Sequence, residues 1–478
     1  MPMPTHPRPR PGRRGTARRA AFAALAAVLA SGCSMIPAYE RPALPVPARF
    51  PDVPEEPGGQ APAADVAWRD FIAEPRLERL VELALDNNRD LRVAVLRVEQ
   101  SQAQFRRTRS GLFPPLDLRT SYTRQGVTDA GGADLTTASA NLSVASTAYE
   151  LDFFGRVRGS SEQALQQYLQ TEEAQRSAHI VLVAEVATQY FALREAEEQL
   201  ALARQTLDLV AESYRLNTLS FEVGQIDALD LRTAEGQLQN AQINVLTYER
   251  QAAQAENQLV LLIGTPLPVD LPPAERFGAA EVLADVPAGL PADLVLRRPD
   301  ILEAEHALLA ANANIGVARA AFFPSISLTG SAGRTSDALG SLLGSSGTGI
   351  WSFAPQLTLP LFNAGSNRAN LAAAEVANEI EVASYERAIQ TAFGEVADAL
   401  VATSSYAQEI LAQEAAVAAQ TQRFTLADER YRQGEDSYLT VLQAQQDLYS
   451  AQQGRLRAQR NRATSQISLY RALGGGWQ

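Results

Sequence analysis

Cys33 is the residue whose type and position predict a specific covalent chemistry. It is the only cysteine in 478 residues, so the chain can form no internal disulfide and offers no second thiolate to a metal cluster. Six arginines, the apolar run 20–30 and the small residues 31–32 precede it. Such an arrangement is typical of a secretory signal peptide, and the apolar run is too short to span a bilayer. We therefore expect residues 1–32 to be a signal peptide that is removed.

The residues around Cys33 resemble a bacterial lipobox, in which the cysteine thiol receives a lipid. The match is imperfect, because Leu29 lies four residues before the cysteine and Ala30 occupies the position three before it, where lipoboxes usually have leucine. Ser34 follows, and the resemblance implies sorting to the outer membrane, since retention at the inner membrane usually depends on Asp at this position. The alternative is a thiol without a function in an ordinary signal peptide.

The other side chains capable of chemistry form no recognisable catalytic or metal site. The three histidines are His6, His179 and His306, and the first of them lies in the leader. The sequence has no glycine-rich phosphate loop that opens a helix, no Gly-x-Ser-x-Gly elbow and no metal-binding spacing of histidines and carboxylates. We therefore expect a protein that is not an enzyme and that holds neither a metal nor another cofactor.

The charge of the chain excludes one class of partner. Without the leader, 36 basic and 54 acidic residues remain, which gives a formal charge of −18 (36 − 54). A protein that binds nucleic acid needs a basic surface, so we expect no nucleic-acid partner.

Residues 33–66 form the next segment, which is rich in proline and has no hydrophobic periodicity. Proline-rich segments adopt extended conformations and act as spacers. The sequence therefore predicts a tether that carries the folded part away from a lipid anchor.

An internal repeat with an offset of 210 residues organises the rest of the chain. Phe113-Pro114 returns as Phe323-Pro324, and Gly224 returns as Gly434. A repeat of this length is a whole folding unit and not a short solenoid repeat. We place the first copy at residues 67–290 and the second at residues 291–478.

Long helices dominate both copies. Apolar residues recur every seven positions from Val186 to Tyr214, and the pattern returns near Val396 with one polar exception. Such a seam is typical of a coiled coil. The helical pattern covers about 155–219 and 364–430, so each helix approaches ~100 Å in length. A cytosolic coiled-coil rod is the alternative at this point.

Each copy also contains a segment with the period of a β-strand. Alternating residues near 113–153 and near 323–362 predict two hairpins, with Ser143, Ala145, Thr147, Tyr149 and Leu151 on one face of the first. A soluble hairpin packed on a helix is one interpretation. If the strands instead span a membrane, the sheet must close, and closed barrels need about eight strands or more. Four strands per chain then require an oligomer.

Several motifs resemble the TolC-like outer-membrane factors, and most closely their NodT-type lipoprotein branch. The specific ones are Tyr149-Glu150-Leu151-Asp152-Phe153-Phe154-Gly155-Arg156, Leu294-Val295-Leu296-Arg297-Arg298-Pro299-Asp300 and Leu359-Pro360-Leu361-Phe362; Trp68-Arg69-Asp70-Phe71 supports them. The resemblance implies a mainly α-helical, internally duplicated fold with a β-barrel part. It also implies a homotrimer that shares a twelve-stranded outer-membrane barrel and a long periplasmic helical barrel.

The resemblance further implies that the turns at Val223, Gly224 and Gly434 form a periplasmic tip, where an adaptor docks and a gate sits. Asp230 and Tyr431 match gate positions that form hydrogen bonds between helices in the family. Thr440 and Gln443 depart from the family, which often has aspartate rings there. The constriction is then either less acidic than in the family or takes its charge from Asp227, Asp436 or Glu435. Ordinary helix caps and surface carboxylates are the alternative interpretation.

The resemblance predicts an outer-membrane duct for small-molecule efflux, anchored by lipid and extending into the periplasm. Its expected partners are a periplasmic adaptor (membrane fusion) protein, an inner-membrane pump such as one of the RND type, and outer-membrane lipid. The alternatives are a type I protein-secretion duct and a periplasmic coiled-coil structural protein.

Overall fold

A computed structural model describes residues 34–47, 50, 66–128, 131, 134–278, 283, 292–342, 344 and 347–475. Cys33, the leader and most of residues 48–65 therefore lie outside the described residues. The predictions of a signal peptide and of a lipidated cysteine remain predictions.

The helices follow the 210-residue offset closely. After the short helices α1 (Trp68–Phe71) and α2 (Pro75–Asn87), the first copy contains α3 (Arg89–Ser110), α4 (Arg156–Glu222) and α5 (Ala228–Ile263). The second copy contains α6 (Pro299–Ala320), α7 (Ser366–Arg432) and α8 (Tyr438–Ala472). Adding 210 to both ends of α3 and α4 gives the ends of α6 and α7. This agreement confirms the predicted duplication.

Four antiparallel strands form one sheet in the order β1-β2-β3-β4. They are β1 (Asp117–Thr128), β2 (Asp134–Leu151), β3 (Ser325–Ser336) and β4 (Thr348–Thr358). Each hairpin falls within its predicted segment. Because the strands alternate in direction, all four connections to helices lie at one end of the sheet, and the two loops between strands lie at the other end.

The sheet has one apolar face and one polar face. The register places Leu118 opposite Val144, Val144 opposite Ala332 and Ala332 opposite Trp351, so all four strands contribute apolar residues to the same face. The next residue along each strand faces the other side, where the side chains are mostly small and polar. They include Arg119, Ser121, Asn141, Ser143, Ser331, Gly333 and Ser352.

A β-bulge corrects the prediction for the second strand. The pairing of β2 with β3 shifts between Ser146 and Tyr149, and Ala148 adopts a positive φ of 54° there. The extra residue reverses the alternation, as bulges do. Tyr149 therefore shares a face with Val144, and the prediction that grouped Tyr149 with Ser143 was wrong.

The chain divides into two compact units, and neither unit coincides with a repeat. The described part of the first lies within residues 1–42, 100–169 and 305–383 and contains the sheet and the helical segments next to it. The described part of the second lies within residues 43–99, 170–304 and 384–478 and contains the remaining helical segments. Each unit thus takes segments from both copies.

The main core of the second unit is built around the N-terminal helices α1 and α2. Trp68, Phe71 and Leu77 are buried there together with Tyr190 and Tyr470. The rings of Phe71 and Tyr470 stack with their centroids 4.1 Å apart. The Trp68-to-Phe71 motif of the sequence is therefore a packing element.

Arg298 connects three segments of the second unit. It is 7% exposed, its Nη1 donates to the carbonyl oxygen of Ala472 at 2.7 Å, and its Nη2 donates to Asp300 and to Glu395, each at 2.7 Å. Burial alone would lower the pKa of Arg298, but its bonds to the two carboxylates outweigh burial and raise this pKa. The first copy has a neutral counterpart, in which Asn88 donates to the carbonyl oxygen of Leu262.

The start of the described chain is docked on α6 within the first unit. Arg41 makes two hydrogen bonds of 2.8 Å to Glu305, Tyr39 donates to the same carboxylate, and Asn312 donates to the carbonyl oxygen of Pro37. Ile36 lies so close to Gly316 that a Cβ there would be 2.6 Å from Ile36 Cγ1. Residues 36–41 are therefore packed against α6, and the extended tether predicted over residues 33–66 remains a prediction.

Candidate functional site: the tips of the two helical hairpins

Two turns of the same geometry join α4 to α5 and α7 to α8. Gly224 and Gly434 both have φ of 76°, a conformation that glycine adopts without strain. The N–H of Gln225 donates to the Ser220 carbonyl at 2.8 Å, and that of Glu435 donates to the Arg430 carbonyl at 2.9 Å. These are the bonds of a helix C-terminus closed by a left-handed residue. The predicted turns are thus present at both positions.

The two turns differ in how the next helix begins. Asp227 caps α5, because its Oδ1 accepts a hydrogen bond of 3.0 Å from the Asp230 N–H. Asp436 instead accepts a bond of 2.6 Å from Arg430 Nε, across its own turn. Asp227 is therefore a helix cap, and Asp436 is one half of an exposed ion pair. This local geometry fits the interpretation of these two carboxylates as cap and surface groups.

Asp230 and Tyr431 lie near each other but form no hydrogen bond to each other within the described part of one chain. Asp230 is half-buried in the first turn of α5, and Tyr431 is half-buried near the end of α7. Burial raises the pKa of Tyr431, and the neighbouring Tyr438 and Asp230 raise it further. Gln443 is exposed on α8. Val223 and Gly224 are exposed in the first turn, as is Gly434 in the second.

Tyr438 is the residue of this region that sequence reasoning missed. It is buried, its hydroxyl shares a hydrogen bond of 2.7 Å with the Ser213 hydroxyl of α4, and its ring lies 5.5 Å from that of Tyr431. Burial raises the pKa of Tyr438. Its counterpart 210 residues earlier is Ala228. This difference between the copies, a large aromatic side chain in place of a small one, could have indicated from the sequence that Tyr438 has a special role at the second turn.

At the tips, a hydrogen bond between hydroxyls and a contact between two aromatic rings connect side chains of different helices. In the described ranges no group of histidine, cysteine or carboxylate side chains could hold a metal ion. None of the helices described here is both long and apolar enough to cross a membrane.

Alanine substitution of two glycines is expected to have opposite effects on stability. Gly434→Ala places a Cβ at a φ of 76° and should cost about 1 kcal/mol or slightly more. Gly394→Ala, inside α7 with no neighbouring atom within 4 Å of the new Cβ, should stabilise the helix by about 1 kcal/mol. Thermal unfolding should therefore give a lower Tm for the first variant and a higher Tm for the second. An unchanged Tm for Gly434→Ala would show that this turn relaxes without strain.

Comparison with known protein families finds the same internal duplication. The family model described as outer membrane efflux protein matches residues 80–265 and again residues 290–475, two ranges that are 210 residues apart. Together they cover more than half of the chain. The duplication seen in the sequence and in the helix bounds is therefore a property of this family.

Individual relatives are similar over nearly their whole length. A probable efflux pump outer membrane protein, TtgC of Pseudomonas putida, is 46% identical over 462 residues, which cover 95% of each chain. The cation efflux system protein CusC of Escherichia coli is 41% identical over 457 residues, which cover 95% of this chain and 97% of the relative.

A solved structure shows the same fold. The open state of the Neisseria gonorrhoeae MtrE outer membrane channel matches with a TM-score of 0.85 at 39% identity, and the match covers 93% of this chain and 99% of that one. The predicted TolC-like fold and outer-membrane location are thereby confirmed, and the hypothesis of a coiled-coil rod was wrong. The chain belongs to the outer membrane efflux proteins, and it is the outer-membrane channel component of an efflux system.

Proposed function

We propose that three copies of this chain form a passive duct for small molecules. Their sheets close into one twelve-stranded barrel in the outer membrane, and their long helices form a tube in the periplasm. The observation that carries this proposal is the sheet, which has one apolar face, one polar face and two outer strands with open edges.

The open edges support closure between copies. β1 and β4 are the outer strands of the sheet, and within the described residues neither has a second partner strand. In lipid, unpaired backbone groups cost several kcal/mol each, so a membrane sheet must have no edge. Four strands are too few for a barrel, for which about eight are the minimum. Three copies supply twelve strands, the number that the family resemblance implies.

The faces of the sheet support the orientation of the barrel. A transmembrane barrel presents apolar side chains to lipid and polar side chains to its lumen. The face of Leu118, Val144 and Trp351 meets the first requirement, and the face of Ser143, Ser331 and Ser352 meets the second. A lining of small polar side chains fits a conduit that discriminates little.

Native mass spectrometry of the purified protein in detergent tests the assembly. We expect a complex of three chains, and insertion of this complex into a planar bilayer should give discrete conductance steps. A complex of one or two chains would overturn the trimeric barrel. A complex of three chains without conductance would overturn the duct.

Partner proteins complete the proposed route. The pump supplies energy at the inner membrane, and a periplasmic adaptor joins it to the duct at the hairpin tips. Val223 is 70% exposed, and Leu229 and its counterpart Leu439 are also exposed apolar residues beside the two turns. Such residues at the end of a helical hairpin offer an apolar contact to another helical hairpin.

Cys33 is proposed to carry the lipid of a NodT-type lipoprotein. The segment that follows it runs along α6, and Ile36 packs at Gly316, one turn before α6 ends at Ala320 and the chain enters β3. A lipid attached just before this segment would therefore start at the helix end that adjoins the sheet. The docking of residues 36–41 on α6 supports this proposed position.

Substitution of the proposed gate residues is expected to raise conductance. Asp230→Ala combined with Tyr431→Phe removes groups that we propose to hydrogen-bond between neighbouring hairpins in the closed tip. With about 1 kcal/mol for each bond, loss of one bond should raise the open population about fivefold. Single-channel recording in planar bilayers measures this change.

Asp208→Ala is the control for this pair, because Asp208 is an exposed carboxylate on α4. Its conductance should equal that of the wild type. Equal conductance of the gate variant and the wild type would contradict the assignment of Asp230 and Tyr431.

A type I protein-secretion duct remains the second candidate, because the same fold serves both functions. The lipobox at Cys33 favours the efflux branch, and relatives are named for toluene, solvent, antibiotic or cation efflux. The neighbouring genes distinguish the two candidates, since an adaptor and a pump gene support efflux and a secreted toxin gene supports secretion.

A further inference from the structure

The connections between helices and strands are basic, although the chain as a whole is acidic. They comprise residues 105–116, 152–160, 317–324 and 359–368, and we call them the arginine belt. The belt contains seven arginines and one aspartate, a net charge of +6, whereas residues 33–478 together have a net charge of −18. All four connections lie at the same end of the sheet. Positive charge is therefore concentrated at one level of the fold.

The opposite end of the sheet has the opposite charge. The loops of residues 129–133 and 337–347 contain Asp129 and Asp337 and no basic residue. The sheet thus has a basic end next to the helices and an acidic end at its loops. If the sheet crosses a membrane, its two ends face two different surfaces, and only one of them has a basic rim.

Much of the belt's charge is not neutralised by the residues that the structure describes. Arg106, Arg107, Arg109 and Arg368 are exposed, and none of them has an ion-pair partner among the described residues. By contrast, Arg156 pairs with Glu150 in the same region. The arginines without an ion-pair partner among the described residues therefore lie mainly at the end of α3, where three arginines occur within four residues.

Exposed apolar side chains accompany these arginines. Phe113 is 66% exposed and Phe362 is 90% exposed, and Leu361 between the sheet and α7 is also exposed. Phe154 and Phe323 stack with centroids 4.8 Å apart and connect two of the four segments. Aromatic side chains beside basic ones are typical of the boundary between lipid head groups and acyl chains.

We propose that the arginine belt binds the phosphates of anionic phospholipids in the leaflet that faces the helices. The inference rests on the proposed barrel, which places this end of the sheet at a membrane surface. Arginine suits this ligand because its guanidinium forms bidentate hydrogen bonds with phosphate. Each arginine near an anionic membrane surface contributes about fivefold in affinity. The phospholipids thereby fix the depth of the barrel in the membrane.

Lipid binding to the purified oligomer tests the proposal. Phosphatidylglycerol or phosphatidylcholine is added to the full chain in dodecyl maltoside micelles, and bound lipid is counted by native mass spectrometry. The wild type should prefer phosphatidylglycerol, and salt should weaken this preference. Arg106→Gln, Arg107→Gln and Arg109→Gln together should reduce the affinity for phosphatidylglycerol by at least about tenfold.

The matched control replaces three arginines of the same helix outside the belt, Arg89, Arg92 and Arg97, with glutamine. It makes the same change in charge and should retain the preference. An equal loss in both variants, or no preference in the wild type, would overturn the proposal. If the belt variant fails to assemble, the effect of salt on the lipid preference of the wild type still tests the proposal. Loss of the wild-type oligomer would instead count against the proposed barrel, and the mass spectrum reports it separately.

Discussion

Phe353→Arg is expected to prevent the chain from forming its oligomer in the outer membrane, whereas Ser352→Arg is expected to be tolerated. Phe353 is the sixth of eleven residues in β4, lies on the apolar face and is 63% exposed in the single chain. Arginine on the lipid face near the membrane midplane costs about 2–4 kcal/mol in each copy. Three copies incur this cost three times, which is comparable with the whole stability of many domains.

Ser352 is the matched control because it precedes Phe353 and faces the other side of the sheet. Its hydroxyl lies 2.7 Å from that of Ser331, and in the proposed barrel both groups face the lumen. An arginine there remains hydrated. Membrane fractions analysed for unheated oligomer should therefore show a loss for Phe353→Arg and a nearly normal amount for Ser352→Arg. Equal amounts would mean that the apolar face does not meet lipid.

The duplication made the helices predictable from the sequence. Gly224 and Gly434 marked the two hairpin turns. The heptad pattern that begins at Val186 marked α4, the long helix between the sheet and the first turn. The bounds of α4 and α7 then followed to within a few residues, because long helical patterns without proline have few alternatives. The same offset carried over to tertiary contacts, since Asn88 and Arg298 both bind a carbonyl near the end of the last helix of their copy.

The faces of β2 could not be predicted, because a bulge leaves little trace in a sequence. Ala148 is neither glycine nor asparagine, so nothing marked it as a residue with positive φ. Strict alternation therefore assigned Ser143 and Tyr149 to one face. The register with β3 shows instead that Leu142 and Val144 belong with Tyr149.

The sequence identified which carboxylates lie at the tips, but it did not predict which groups they bind. Asp227 and Asp436 were both candidates for a charged constriction, yet the first caps α5 and the second pairs with Arg430. These partners depend on the exact path of each turn. The link between Tyr438 and Ser213 joins residues 225 positions apart, and such a pairing has no local signal in the sequence.

Arg298→Met is expected to cause a large loss of stability in the second unit. Methionine keeps much of the side-chain volume but leaves the Ala472 carbonyl and the carboxylates of Asp300 and Glu395 without their donor. Breaking a buried ion pair costs about 3–5 kcal/mol. We expect about 3 kcal/mol here, at the lower end, because Asp300 and Glu395 are each more than one-third exposed and can be hydrated after the substitution.

Arg297→Met separates this effect from the loss of an arginine as such, because Arg297 is the exposed neighbour of Arg298 on the same short segment. Thermal unfolding should give a clearly lower Tm for Arg298→Met than for Arg297→Met. Proteolysis of Arg298→Met should release the end of α8 first, because the Ala472 carbonyl loses its partner. Equal Tm values would mean that the carboxylates find other donors. The comparison matters because the side chain of Asn88, the neutral counterpart in the first copy, bonds to uncharged backbone groups, the Leu262 carbonyl and the Leu91 N–H. A large loss at Arg298 would therefore show that the second copy depends on charge for a contact that the first copy makes without it.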